Sequence, residues 1–227
     1  MNIVIIGLGG IGSILCERLA RYITYSAASG TSILLVDGDS YEAKNFERQD
    51  FTRMGNKAEV KAADLKMQFS RLNVSSFPAF VNETTLAEVI KEGNVVFMCV
   101  DNHKTRMIVS NYCKNLTDVT LISGGNDFID GNVQIYIRKE GADLTPDLCA
   151  YHPEIANPDD KLPEEMSCEE LAESAPQLYF ANLTVATIMC WAFYNAVVKG
   201  QIELEKSEVY FDMTKMSSVA QIRIVKN

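Results

Sequence analysis

The chain has 227 residues, 47% of them hydrophobic and 22% charged, and a formal net charge of −9. These values suit one globular domain with a sizeable core. The acidic surplus excludes a basic surface for nucleic acid or an anionic membrane and favours a basic protein partner.

In chain order, Asn2–Ile6 is an apolar run that predicts a buried strand, and the pattern of Ile11–Tyr25 predicts a helix. Ser32–Val36 ("SILLV") predicts a strand and Asn56–Leu72 a helix. Ser76–Val81 then predicts a strand, Thr84–Glu92 a helix and Asn94–Val100 ("NVVFMCV") a strand. Lys104–Asn115 predicts a helix and "VTLISGG" the next strand. Continuous apolar strands separated by helices predict an α/β fold, a doubly wound, mostly parallel Rossmann-like sheet. After Ser123, "NVQIYIRK", "EVYFDM" and "VAQIRIVK" alternate as antiparallel strands do. Residues 139–173 carry eleven acidic residues against two lysines and four of the six prolines, and predict a long acidic crossover loop. The whole of 1–227 reads as one domain.

Ser174–Val198 contains no charge and is long enough to span a bilayer. Asn182, Thr184, Thr187 and Asn195 argue instead for a helix buried in a core or a dimer interface, with no membrane association. Its expected signals are Ser174 as N-cap, Pro176 in the first turn and Gly200 past the end. The start "MN" lacks the basic n-region of a secretory signal, and the six cysteines form no CxxC pair. Both features predict reduced thiols in the cytoplasm.

Gly7, Gly9 and Gly12, with Gly10 between, fit G-x-G-x-x-G between a strand and a helix. Such a turn brings backbone N–H groups up to phosphate oxygens, and Asp37 at the end of the second strand is placed to accept from ribose hydroxyls. The turn fits NAD and ATP equally.

The next segment, "VDGDSYEAKNFERQDFTRMGNKAEVKAADL", supplies Asp37, Asp39, Asn45, Arg48, Gln49, Gly55 and Lys57. "VVFMCVDNHKTR" adds Asp101, Asn102 and Arg106. Taken singly, Asn45 reads equally as a helix cap, Arg48 and Lys57 as solvated charges, and Asp101 as a cap. Taken in this order, the motifs resemble the ThiF/MoeB family of adenylating enzymes, which includes the activating enzymes of ubiquitin-like proteins. The likeness extends through "SGGNDFIDGNVQIY" to the C-terminal strands.

The resemblance implies an enzyme that uses ATP and Mg²⁺ to adenylate the C-terminal carboxylate of a ubiquitin-like or sulfur-carrier protein. Asn45, Arg48 and Gln49 would clamp phosphates from one side and Lys57 from the other, while Asp101 would hold the metal. Cys168 would form a thioester before transfer to an E2-like or sulfurtransferase acceptor. The resemblance also implies a homodimer.

Two departures stand out. Many members carry paired CxxC motifs for zinc, whereas this chain offers only Cys149 and His152, so no zinc is expected. Bacterial members often carry an N-terminal extension with an arginine, and this chain starts at its first strand. Arg21, Arg53 or a partner is expected to supply that charge. His103 reads as a surface residue. The rival readings are an NAD-dependent dehydrogenase, which leaves Asn45, Arg48, Lys57 and Asp101 without a role, and a non-catalytic nucleotide-binding scaffold.

Overall fold

In the computed structural model, which describes residues 1–26, 30–47, 49, 51–165 and 178–225, strand β1 (Asn2–Ile6) has protein on both faces. Ile3 and Ile5 point into one apolar core, Val4 and Ile6 into another. Successive side chains of a strand alternate in direction, so a continuously apolar strand needs a layer on each side.

Helix α1 (Gly10–Tyr25) follows the glycine turn, and β2 (Ser32–Val36) pairs with β1 in parallel. The two-residue strands β3 (Ser40–Tyr41) and β4 (Gly55–Asn56) form a small separate ladder. Helix α2 (Lys57–Gln68) is capped by Asn56, whose side chain accepts the Glu59 N–H at 3.1 Å. There follow β5 (Asn73–Phe77), α3 (Leu86–Val89), β6 (Asn94–Met98) and α4 (His103–Cys113). Beyond them come β7 (Val119–Asn126), β8 (Asp130–Lys139), β9 (Ala142–Asp143), α5 (Pro153–Ala156), α6 (Tyr179–Phe193), β10 (Glu208–Asp212) and β11 (Ser217–Gln221).

Among the described residues the main sheet runs β11-β10-β8-β7-β6-β1-β2-β5, with β9 on β8. From β7 to β5 it is parallel, and from β8 to β11 antiparallel. The chain winds outward from β1 through β2 to β5 and then returns to β6 on the other side of β1. That reversal is the topological switch point, where open α/β sheets bind ligands. Residues of α1, α2 and α6 form the core on one face; residues of α3, α4 and α5 form it on the other.

Three elements depart from the sequence pattern for local reasons. The strand expected at Ser76–Val81 is β5, three residues earlier, because Pro78 has no N–H to give the ladder. The helix expected over Thr84–Glu92 shrinks to α3, since Asn94 Oδ1 accepts the Lys91 N–H (2.9 Å) and turns the chain into β6. The last strand is centred earlier: Asp212 Oδ1 accepts from the Thr214 and Lys215 N–H groups and starts the return strand at Ser217. The crossover is not featureless either. It holds β9, α5 and a 3₁₀ turn at Pro163–Glu165.

Helix α6 packs on α1, β7 and β8 through Ala181, Val185, Ala186 and Met189. Tyr179–Lys199 is long and apolar enough to cross a membrane by length and composition, yet 44% of its apolar stretch is buried in protein. Gly200, at φ +61°, ends it as the sequence indicated. Ser174 and Pro176, its expected N-terminal signals, lie outside the described residues.

The glycines of the turn divide by what surrounds them. A Cβ on Gly12 would stand 1.9 Å from the Gly7 carbonyl oxygen, whereas one on Gly9 would meet nothing nearer than Gln49 Nε2 at 3.9 Å. Gly12→Ala is expected to cost about 1–3 kcal/mol of stability by overpacking and Gly9→Ala within about 0.5. Urea unfolding of both variants measures this, and equal losses would contradict it.

Candidate functional site

The glycine turn is fixed from both sides. Gly7 adopts φ +86°, a left-handed conformation that favours glycine, and its N–H donates to the Val36 carbonyl at 2.9 Å. The Leu8 N–H donates to Asp37 Oδ2 at 2.6 Å, and the Tyr41 hydroxyl donates to the Leu8 carbonyl at 3.1 Å. The other oxygen of Asp37 accepts the Asp39 N–H at 2.8 Å. Burial pushes the Asp37 carboxyl up, against the opposing pull of Lys57 and of these amides. Asp37 therefore braces the turn as well as facing the ligand side.

Tyr41 stacks on Phe51 (4.4 Å between centroids), which stacks on Phe46 (4.3 Å). These rings hold the 3₁₀ turn Ala43–Glu47 beside the glycines. Asn45 Oδ1 accepts the Glu42 N–H at 2.9 Å, and the Gln49 N–H donates to the Asn45 carbonyl at 2.9 Å. Asn45 and Gln49 are both buried in the wall above Gly9. Arg48, expected between them, lies outside the described residues, as does Cys168.

Lys57 opens α2 with its ammonium 2.9 Å from Asp39 Oδ2, and its N–H bonds the Asp39 carbonyl at 2.8 Å. Asp39, expected to bind nucleotide, is thus the group that orients Lys57. An ammonium has three donors, so two remain for other acceptors. Asp101 follows β6 and is exposed at the switch point. The N-cap of α4 is Asn102, whose side chain accepts the Thr105 N–H at 2.7 Å, so Asp101 itself stays available.

Gly7, Gly9, Gly10, Asp37, Asp39, Asn45, Gln49, Lys57 and Asp101 all line one open cleft of about 1640 Å³. Gly12 lies behind the turn in the first helical residues of α1. Among the described residues, five of the seven buried side-chain polar atoms without a protein partner lie here, the other two being those of the Asn182 amide. Gln49 Oε1, His103 Nδ1, Thr105 Oγ1, Arg106 Nε and Asn126 Oδ1 all belong to lining residues. Such atoms are costly to leave unpaired, and a concentration of them marks a surface shaped for a ligand. Neither Arg21 nor Arg53 lines this cleft; Arg21 sits over the Phe69 ring at 5.5 Å.

The crossover forms the outer wall. Asp160 accepts the His103 N–H (2.5 Å) and the Lys104 N–H (2.9 Å) at the start of α4, and Lys104 reaches Glu165 at 2.6 Å. His103, read from sequence as a surface residue, has its Nδ1 buried by this strap.

His152 joins the crossover to the C-terminal strands. Its Nε2 lies 2.6 Å from Glu208 Oε1 and its Nδ1 2.7 Å from Glu154 Oε1, so both ring nitrogens are occupied by carboxylates. Glu208, 2% exposed, also accepts from Arg223 Nε (2.5 Å) and Asn132 Nδ2 (2.8 Å). Burial alone would raise the Glu208 carboxyl, but His152 and Arg223 hold it down to about 2. For His152 burial opposes the charge, and the bonds to Glu208 and Glu154 outweigh it, so its pKa is raised. Glu208 carries no local signal, because its partner His152 is far away along the chain. Asp160 and Tyr41 were missed for the same reason.

Residues 1–227 match the family model described as ThiF family. MOCS3, an adenylyltransferase and sulfurtransferase of Dictyostelium discoideum, is 34% identical over 144 residues, 62% of this chain and 32% of that protein. The molybdopterin-synthase adenylyltransferase of Haemophilus influenzae is 28% identical over 152 residues, 65% of this chain and 59% of its own. Ubiquitin-like modifier-activating enzyme 5 of Oryza sativa is 27% identical over 160 residues, 62% of this chain and 36% of its own. The chain therefore matches between about a third and three fifths of the length of these relatives. Among solved structures, E. coli MccB crystallised with ATP shares the fold, with a TM-score of 0.75 at 19% identity over 99% of this chain and 64% of that one.

The His152 cluster makes stability depend on pH in a defined direction. With its pKa raised by folding, His152 contributes fully below its ordinary value of 6.5 and loses that contribution as pH rises through the folded value. Glu208 contributes above 4.5 and loses it as pH falls towards about 2. In urea unfolding, the advantage of the native protein over His152→Gln should be present at pH 6 and shrink by pH 9. A difference independent of pH would contradict this.

Proposed function

The chain belongs to the ThiF family, and on that premise we propose that it adenylates the C-terminal carboxylate of a small ubiquitin-like or sulfur-carrier protein with ATP. One observation carries the reading. The glycine turn, Gln49, Lys57 and Asp101, contributed by separate elements, converge on a single cleft at the switch point.

A carboxylate oxygen of the partner bonds to the α-phosphorus as the bond from that phosphorus to the pyrophosphate oxygen breaks. Pyrophosphate leaves and an acyl-adenylate remains. Two anions must meet, so the work falls to positioning and charge. Backbone N–H groups of the turn and the N-terminus of α1 face the phosphates. Asn45, Gln49 and Arg48 close one side and Lys57, steadied by Asp39, the other; Asp37 faces the ribose. Asp101 suits Mg²⁺, which is commonly held by one or two carboxylates together with phosphate oxygens and water. Bound there, the ion would neutralise phosphate charge and ease departure of pyrophosphate.

In the second stage the thiolate of Cys168 attacks the acyl carbon and AMP leaves, giving a thioester for an E2-like or sulfurtransferase acceptor. Its support is the tether of Glu165, three residues earlier, to the helix that follows Asp101. We assign a homodimer on the exposed aromatic side chains Phe180, Trp191 and Tyr194 of the α6 region, and a cytoplasmic site on the free thiols of Cys16, Cys99, Cys113, Cys149 and Cys190. The adenylating activity of the named relatives supports the first stage.

Calorimetry with ATP and with NAD, each with and without Mg²⁺, tests the reading. ATP should bind, more tightly with Mg²⁺, and Asp101→Asn should remove most of the Mg²⁺ effect. Lys57→Ala should weaken ATP by about ten-fold or more, as loss of a charge-assisted contact does. Tight NAD binding indifferent to Mg²⁺ and to Asp101 would overturn the proposal in favour of a dehydrogenase.

A further inference from the structure

Arg106 is a buried cation with no anion. It is 5% exposed in a chain with thirty acidic residues, yet among the described residues no carboxylate pairs with it. Its guanidinium donates to three neutral oxygens: Ser123 Oγ at 2.8 Å, the Val100 carbonyl at 2.7 Å and the Gly124 carbonyl at 2.8 Å. Nε is buried and has no acceptor among the described residues. Burial disfavours its charge, and the neighbouring Asp101 and Asp160 offset this only in part. A desolvated charge left unneutralised is expensive and persists where a charged ligand completes it.

The surroundings are cut to hold this side chain. Gly125 lines the cleft beside it, and a Cβ there would stand 2.7 Å from Arg106 Nη2. The three acceptors belong to the turn leading to Asp101 and to β7, so the guanidinium ties these two edges of the cleft together. The order β7-β6-β1-β2 along the sheet then separates two cationic poles. Lys57 is held by Asp39 in the segment after β2, and Arg106 by Val100 after β6 and by Ser123 and Gly124 of β7, so the two cations belong to opposite sides of β1 in the sheet order.

We infer that Arg106 is the positioning cation of the acyl side: it braces the Asp101 turn against β7 and sets a fixed positive charge facing the incoming carboxylate, opposite the phosphate pole at Lys57. The inference rests on the adenylation reading and adds to it the group that offsets repulsion between the two anionic reactants. Cys99, beside Arg106, has a thiol pushed up by burial and supplies no negative partner. In Arg106 the fold thus keeps a charge for a substrate group.

The test uses AMP, ATP and 5′-O-[N-(N-acetylglycyl)sulfamoyl]adenosine, an acyl-adenylate mimic whose acyl nitrogen is amide-linked and uncharged like that of a protein C-terminus, in calorimetry on the full chain. Native protein should bind the mimic more tightly than AMP. Arg106→Gln should weaken the mimic by about ten-fold or more while AMP changes by about two-fold at most, and Arg106→Lys should restore most of the loss. A folded Arg106→Gln protein that keeps native affinity for the mimic overturns the assignment. If that variant does not fold, Ser123→Ala loosens the guanidinium without removing it. It should weaken the mimic by about three-fold or more with AMP unchanged, and an unchanged mimic affinity overturns the assignment. Native protein that binds neither ATP nor the mimic sinks the adenylation reading first, and Arg106 with it.

Discussion

One residue, Leu8, organises the glycine turn. Its N–H is held by a buried carboxylate and its carbonyl by a buried phenol, so the peptide planes on both sides of it, Gly7–Leu8 and Leu8–Gly9, are fixed. Both partners come from the chain beyond β2, and each carries a further duty. Asp37 also holds the Asp39 amide and thereby the start of the segment that returns to Lys57. Tyr41 carries the stacked rings that place Asn45 and Gln49. A carboxylate and a hydroxyl buried beside an apolar sheet are costly unless every bond is made. Here the bonds are made, and the glycine turn, Asn45, Gln49 and Lys57 are held as one unit.

Charge is distributed unevenly along the cleft. The molecule is acidic overall, yet Lys57 and Arg106 are both nearly buried at its reactive centre, and the acids that surround them have been given other work. Asp39 orients Lys57, Asp160 caps α4 and Glu208 is consumed by His152 and Arg223. Buried charges of one sign acquire strength because water is excluded from them. Asp101, exposed at the end of the β6 turn, has no such duty among the described residues, and a divalent cation suits its chemistry.

Much of this was legible in the sequence where the pattern is local. β1 and β2 are bounded as expected because a strand buried on two faces is apolar along nearly its whole length. The order of Asp37, Asn45, Gln49, Lys57 and Asp101 placed them correctly in one cleft. What was illegible is tertiary. Nothing near Asp37 says that its oxygens hold Leu8 and Asp39 before any ribose, and nothing near His152 announces a carboxylate on a later strand. The C-x-x-H spacing directed attention to metal chemistry, whereas the ring is spent on an ion cluster. Arg106 was named with Asp101 and Asn102, and its burial was legible as well. It shares a helical stripe with Val109, Ser110 and Cys113, all buried, and an arginine on such a stripe needs a reason. The β5 shift was equally open to reading, since Pro78 cannot donate to a ladder.

The fastening of His152 to Glu208 and Arg223 bears on how such a protein changes over generations. It binds the crossover, β8, β10 and the segment after β11 to one another by contacts that involve no residue of the glycine turn. Substitutions that reshape the outer wall can therefore accumulate without disturbing the nucleotide half, provided the fastening survives. Inheritance can thus act on two nearly separable parts, the glycine turn with its braces and the outer wall with its ion cluster.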